Sequence, residues 1–368
     1  MPCRCASDLA QLPCGRRAAT VSGAPLHGAQ TVRDRDRVER PRLLAATLDG
    51  DDGLSLRRRG VFHRASRAAW VSGLLLSCSA DPALLDGPTQ AIVARDGLVY
   101  VADGYFHARI AVFTPDGRFV DEFGSKGFEL GQLQTPHGLI EAPEGTLVVA
   151  DRDNGRLQRF STDGRFIDRI RSAEIGRPWS VASLGDGALF VAGGGDQDGR
   201  GRAGIVEVAS SGEVVRRFGA FGRGSGELDE PHTIAVSPTR EVFVVEIGNR
   251  RLQRFAPRAG CDRSSASCEY EVVSGWPALE ATPGLDPLAL ALHDERLYVG
   301  HQGEPASIWV LDAATGVRLS VLGEGAFERP HGIFVDAEGT LWVADDRANH
   351  VLHLAADGSV LGRLGAAR

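Results

Sequence analysis

Three histidines each follow a proline at matched places in a repeating chain: Pro136-His137, Pro231-His232 and Pro330-His331. Neutral imidazole nitrogens are common ligands of zinc, and three of them with a free fourth position suit a catalytic ion. The same proline recurs at Pro88-Thr89, Pro178-Trp179 and Pro287-Leu288 with other residues behind it. Histidine therefore fills every second slot of six. The chain has only 10 histidines, so this alternation argues against three unrelated turn residues. The spacing is 95 residues (137 to 232) and then 99 (232 to 331), two copies each time. If six copies close into a ring, two copies make a third of a turn and the imidazoles converge on the axis.

The elements that must position these residues are short strands. Runs such as Leu98–Val101, Leu147–Val149, Leu189–Val191, Val242–Val245, Leu297–Val299 and Leu341–Val343 recur once per copy. Second runs follow at Arg109–Phe113, Arg156–Phe160 and Arg251–Phe255, and third runs follow Asp-Gly turns at 116–117, 163–164 and 357–358. With the strand after each proline, every copy holds four strands. The residues behind the prolines fall at 89, 137, 179, 232, 288 and 331. A four-stranded repeat of that length is a propeller blade, and no helical apolar period competes with it. The expectation is an all-β, six-bladed β-propeller over residues 85–366, as one domain.

Composition narrows the partners. Net charge is −7, and Lys126 is the only lysine. The arginines are scattered and not interleaved with aromatics, which excludes a nucleic-acid surface. Residues 1–60 hold Cys3, Cys5, Cys14 and the run Arg33-Asp34-Arg35-Asp36-Arg37 without apolar periodicity. They are expected to be a disordered leader or sequence upstream of the true start. In residues 61–78, Arg64 and Arg67 precede an apolar stretch that ends at Ser77-Cys78. That pattern reads as a secretory signal, and Leu75-Leu76-Ser77-Cys78 resembles a bacterial lipobox. The expectation is an exported periplasmic or cell-envelope lipoprotein that meets the membrane only through a lipid on Cys78. A buried apolar segment is the competing reading. In an oxidising compartment, Cys261 and Cys268 are most simply a local disulfide.

Longer stretches carry a resemblance. Residues 100–124 (YVADGYFHARIAVFTPDGRFVDEFG), 135–160, 230–236 and 329–354 resemble NHL-repeat blades. Among these they are similar to peptidyl-α-hydroxyglycine α-amidating lyase, also called peptidylamidoglycolate lyase. The last block matches a blade that comes early in that family, so the blade order looks circularly shifted, which a closed ring tolerates. The resemblance implies a reaction that splits a peptidyl-α-hydroxyglycine into a peptide amide and glyoxylate. It implies zinc on His137, His232 and His331, Tyr105 as the base, and Arg152 on the substrate carboxylate. It further implies calcium as a second, structural ion, and a separate monooxygenase as supplier of the hydroxylated peptide.

The chemistry can be rebuilt from its parts. Breaking the C–N bond of a carbinolamide requires loss of the hydroxyl proton, which a zinc ion promotes. Free tyrosine has a pKa near 10, so a cation is needed to make it a base, and Arg152 is expected to lower it. The bland readings are a packing role for Tyr105 and a surface ion pair with Asp153 for Arg152.

The chain departs from the family at three places. Gln302 stands where the family has a substrate-binding arginine, Glu230 replaces a methionine, and Thr233 replaces an aspartate of the calcium site. Glu230 could serve as a fourth ligand or an alternative base. Two other functions remain open at this level. One is a non-catalytic propeller that binds a peptide, protein or glycan on its ring face. The other is a lactonase-like hydrolase, which would need carboxylate and asparagine calcium ligands.

Overall fold

In the computed structural model, the described residues are 81–194, 203–262, 265–273 and 286–365. The expectations for 1–60 and 61–78 lie outside them. Six four-stranded antiparallel sheets follow one another along the chain, each built from a contiguous segment. Their innermost strands are Pro88–Val93, Pro136–Glu141, Pro178–Ser183, Pro231–Val236, Pro287–His293 and Pro330–Val335. We number the blades one to six in that order. The six-bladed, all-β expectation is met.

Apolar residues face both surfaces of the middle strands, as they must in a sheet sandwiched between two others. The result is six apolar clusters, one per seam between neighbouring blades. One cluster packs Ile92, Tyr100 and Ile110 of blade one against Leu139, Leu147 and Val149 of blade two. The seam that closes the ring joins Ala91, Val99 and Phe113 to Trp342, Ala344 and Val351 of blade six. Among the described residues no strand is exchanged between first and last blades, and this seam and main-chain bonds such as Leu85 N–H to the Gly365 carbonyl (3.4 Å) join them.

The Asp-Gly turns behave as read. Gly117, Gly164 and Gly358 have φ of 91°, 79° and 86°, a conformation that costs glycine little and other residues more.

A second repeated device holds the loops between blades. The second strand ends in a fully buried acid in blades one, two, four and six: Asp103, Asp151, Glu246 and Asp345. Each accepts the backbone N–H of the residue two before its own blade's inner proline: Asp86, Gln134, Asp229 and Glu328. Buried arginines neutralise three of these acids, with Arg156 Nε 2.7 Å from Asp151 and Arg251 Nε 2.6 Å from Glu246. A buried carboxylate without such partners would be costly. The acid therefore fixes where each Pro-X step begins.

Cys261 and Cys268 are disulfide-bonded, with Cα atoms 5.4 Å apart, as the sequence suggested. The bridge closes a loop near the outer edge of blade four. From loop-closure entropy, a Cys261→Ser, Cys268→Ser variant should lose about 2–3 kcal/mol of stability. Denaturant titration of the oxidised protein and the variant checks this, and coincident curves would contradict it.

Candidate metal centre

The Pro-X steps at the top of the inner strands are all irregular in the same way. In blade two, Pro136 pairs with Asp151 and Gly138 with Ala150, so His137 is an extra residue with no ladder partner. The same bulge isolates Thr89, Trp179, His232, Leu288 and His331. Bulges re-aim a side chain and leave its backbone groups free. Both consequences are used at the axis.

His137, His232 and His331 are buried, and one ligand nitrogen from each lies within 4.8 Å of the others. Their ring centroids are 4.8 to 4.9 Å apart. Each Nδ1 meets the backbone carbonyl of the following blade's bulged residue. His137 reaches Trp179 O at 2.7 Å, His232 reaches Leu288 O at 2.8 Å, and His331 reaches Thr89 O at 2.9 Å. A carbonyl can only accept, so each Nδ1 carries the proton and each Nε2 presents its lone pair to the shared space. Histidine blades supply imidazoles, and the alternate blades supply the carbonyls that set their tautomers.

Three converging lone pairs need a positive partner. The described donor nearest to them is the Tyr105 hydroxyl, 2.9 Å from His331 Nε2 and 3.4 Å from His137 Nε2. One hydroxyl proton cannot satisfy three acceptors. The set therefore fits a cation held by three neutral nitrogens, with Nδ1 partners of the sort that orient metal-ligating histidines. Glu230 is not part of this cluster. Its backbone is left-handed, with φ of 51°, and its carbonyl accepts the Ile247 N–H. His350 and His353 also lie elsewhere, on the third strand of blade six, where His353 stacks on Trp342 at 3.9 Å.

Glycine after His137 and His331 has a visible reason. A Cβ on Gly332 would come within 2.3 Å of Thr89 O, the carbonyl that holds His331. Thr233 follows His232 instead, and its hydroxyl donates to the same Leu288 carbonyl at 3.0 Å. Thr233 thus steadies the histidine's acceptor in place of the aspartate expected at a calcium site. Among the described residues, the three histidines are the one cluster of metal-ligating type.

The wall beside the histidines comes from the ends of the second strands. Tyr105 follows blade one's, with its ring edge-on to His137 and His331. Arg152 follows blade two's. Its guanidinium lies 5.7 Å from the Tyr105 ring and 4.7 Å from the Trp179 ring. Its Nε also pairs with Asp153 at 3.2 Å, so the ion pair and the site contact coexist. Gln302 holds blade five's copy of the Arg152 position. Its N–H donates to Asp286 O at 2.9 Å, as that of Arg152 does to Thr135 O at 3.2 Å.

Sequence reasoning missed Trp179 as part of this wall. The indole lies 5.2 Å from His137 and 5.1 Å from His232. The signal was present, since Trp179 occupies the same slot behind a proline.

The electrostatics correct one expectation. Arg152 does pull the Tyr105 phenol down, but burial acts more strongly and leaves it above its ordinary value. Burial also holds all three imidazoles below the usual histidine range, helped in His137 by the neighbouring imidazoles. The sign of the consequence is fixed. Below about pH 6.5 the unfolded chain binds protons that the folded chain refuses, so stability falls as pH falls. The metal-free protein should lose about 1.4 kcal/mol per pH unit for each such proton. Thermal melts between pH 7.5 and 5.5 read it, and His137→Gln should flatten the slope; an unchanged slope would contradict the burial argument.

Fold and site together define a six-bladed β-propeller with three axial histidines. Over part of its length the chain is similar to enzymes of peptide amidation. It is 34% identical over 179 residues to the peptidyl-glycine alpha-amidating monooxygenase of Mus musculus, covering 46% of this chain and 18% of that protein. It is 30% identical over 228 residues to peptidyl-alpha-hydroxyglycine alpha-amidating lyase 1 of Drosophila melanogaster, covering 56% and 41%. The chain thus spans less than half the length of these relatives. Among solved structures, a streptogramin B lyase superposes with TM-score 0.52 at 15% identity, covering 77% of this chain and 84% of that one. That likeness concerns the fold alone. No family model matches the chain.

Proposed function

We propose that this chain is a zinc-dependent lyase that cleaves peptidyl-α-hydroxyglycine, or a related carbinolamide, into an amide and glyoxylate. The observation that carries the reading is the convergence of three Nε2 lone pairs beside Tyr105 and Arg152. A bound zinc ion would supply Lewis-acid polarisation of the substrate hydroxyl. Arg152 would pair with the carboxylate through its guanidinium fork, with Trp179 stacked beneath to orient it. With Arg152 and the bound cation beside it to offset burial, Tyr105 Oη would be ionised and would take the hydroxyl proton. As that proton leaves, the oxygen becomes the aldehyde oxygen of glyoxylate and the C–N electron pair departs with nitrogen. The nitrogen would take that proton back from Tyr105 Oη and become the amide, leaving the phenolate as it began. On this reading the chain is an exported envelope lipoprotein anchored at Cys78, and a separate monooxygenase supplies its substrate.

The direct test is glyoxylate release from α-hydroxyhippurate by the full chain loaded with zinc. Turnover lost on chelation and restored by zinc supports the reading; stoichiometric zinc without turnover contradicts it. Gln302 gives a finer test, because it occupies blade five's copy of the Arg152 position without a charge. A charged hydrogen bond contributes about 1.5–3 kcal/mol, so Gln302→Arg should raise kcat/KM about tenfold or more, chiefly through KM. Unchanged KM would remove position 302 from carboxylate binding.

A further inference from the structure

Tyr105 has two sides. On one stands Arg152; on the other a groove of about 510 Å³ opens at the seam of blades six and one, with Tyr105 itself in its wall. The groove's most unusual member is Phe106, which is 67% exposed beside a largely covered tyrosine. Its ring is seated on the backbone of Gly87, where a Cβ would come within 3.0 Å of it. Gly87 has φ of 74°, and its N–H is held by Asn349 Oδ1 at 2.8 Å. The exposed ring is thus supported by main chain and presented to solvent.

The other lining groups cancel in charge. Arg329 Nε pairs with Asp346 at 2.7 Å, and the remaining Glu328 and Arg347 are of opposite sign. The groove therefore offers aromatic surface without net charge.

The substrate has a matching polarity. Its hydroxylated carbon bears a carboxylate on one bond and the acylamino group on another. With the carboxylate at Arg152 and the hydroxyl beside Tyr105, the acylamino arm would extend past Tyr105 toward the groove. We propose that this groove binds the residue preceding the hydroxyglycine, and that Phe106 selects large apolar or aromatic side chains there. The proposal rests on the lyase reading for its orientation.

Two measurements separate the two ideas. The first is equilibrium binding of N-acetyl-Phe-Gly and N-acetyl-Asp-Gly, which lack the hydroxyl and are not cleaved, to the zinc-loaded full chain. Wild type should prefer the phenylalanine peptide about tenfold, the order expected for partial burial of an aromatic side chain. Phe106→Ala should bring the two affinities near parity, while Phe106→Leu keeps most of the difference. Equal affinities in wild type, no binding of either peptide, or a preference that survives Phe106→Ala would each overturn the proposal. The second is the kcat/KM ratio of the corresponding hydroxylated peptides, which should follow the same order. A binding preference lost in Phe106→Ala, with no glyoxylate from either peptide, would support the groove and overturn the lyase reading.

Discussion

His232→Ala is expected to abolish stoichiometric zinc binding and, with it, glyoxylate release. The three imidazoles lie on three different blades, and their Nε2 atoms face one space. Losing one leaves two nitrogen ligands in a buried site with no carboxylate in the cluster to replace it. Altering the outer partners of a metal ligand already costs 10–100-fold in affinity; removing the ligand itself should cost more. The variant must be shown to fold, because His232 is also packed against Trp179 and hydrogen-bonded to Leu288. His353→Ala supplies the contrast. It removes a half-buried imidazole of the same chain that stacks on Trp342 outside the cluster. Zinc content should stay at one per chain there. Full zinc occupancy in His232→Ala would show that the ligand set is wrong.

Tyr105→Phe is the second large effect, and it separates chemistry from metal binding. The ring contacts with His137 and His331 persist in the variant, while the hydroxyl next to their Nε2 atoms is lost. Proton transfer by a positioned group contributes about 10²–10⁴-fold to rate. The expectation is a fall in kcat of that order with zinc content unchanged and KM little altered. The high phenol pKa set by burial sharpens the point, because Arg152 alone does not make Tyr105 a ready base. A kcat within a few-fold of wild type would assign the proton to another group and leave Tyr105 as packing.

Much of this architecture was legible in the residues, for reasons that can be named. Strand alternation and Asp-Gly turns are local properties, so the four strands of a blade can be read in order. The histidine alternation is legible because symmetry turns sequence spacing into angle. Other features depend on what the chain brings together. The carbonyls of Thr89, Trp179 and Leu288 orient the histidines, yet a backbone carbonyl has no sequence signature. Arg152 was open between an ion pair and a site role because its neighbour Asp153 is sequential and Tyr105 is distant. The guanidinium pairs with Asp153 and also lies over the Tyr105 ring. The sign of the Tyr105 shift is a contest between burial and charge, and burial is a tertiary quantity. Glu230 suggested a fourth ligand from its nearness in sequence to His232, but its carboxylate is not among the clustered ligand atoms.

The central claim is that one cation sits on the axis in a set of three imidazole nitrogens. Zinc K-edge X-ray absorption on the zinc-loaded full chain measures this directly. The expected spectrum shows about one zinc per chain with three histidine nitrogens at about 2.0–2.1 Å. A sulfur shell, fewer than three imidazoles, or no stoichiometric zinc would contradict it.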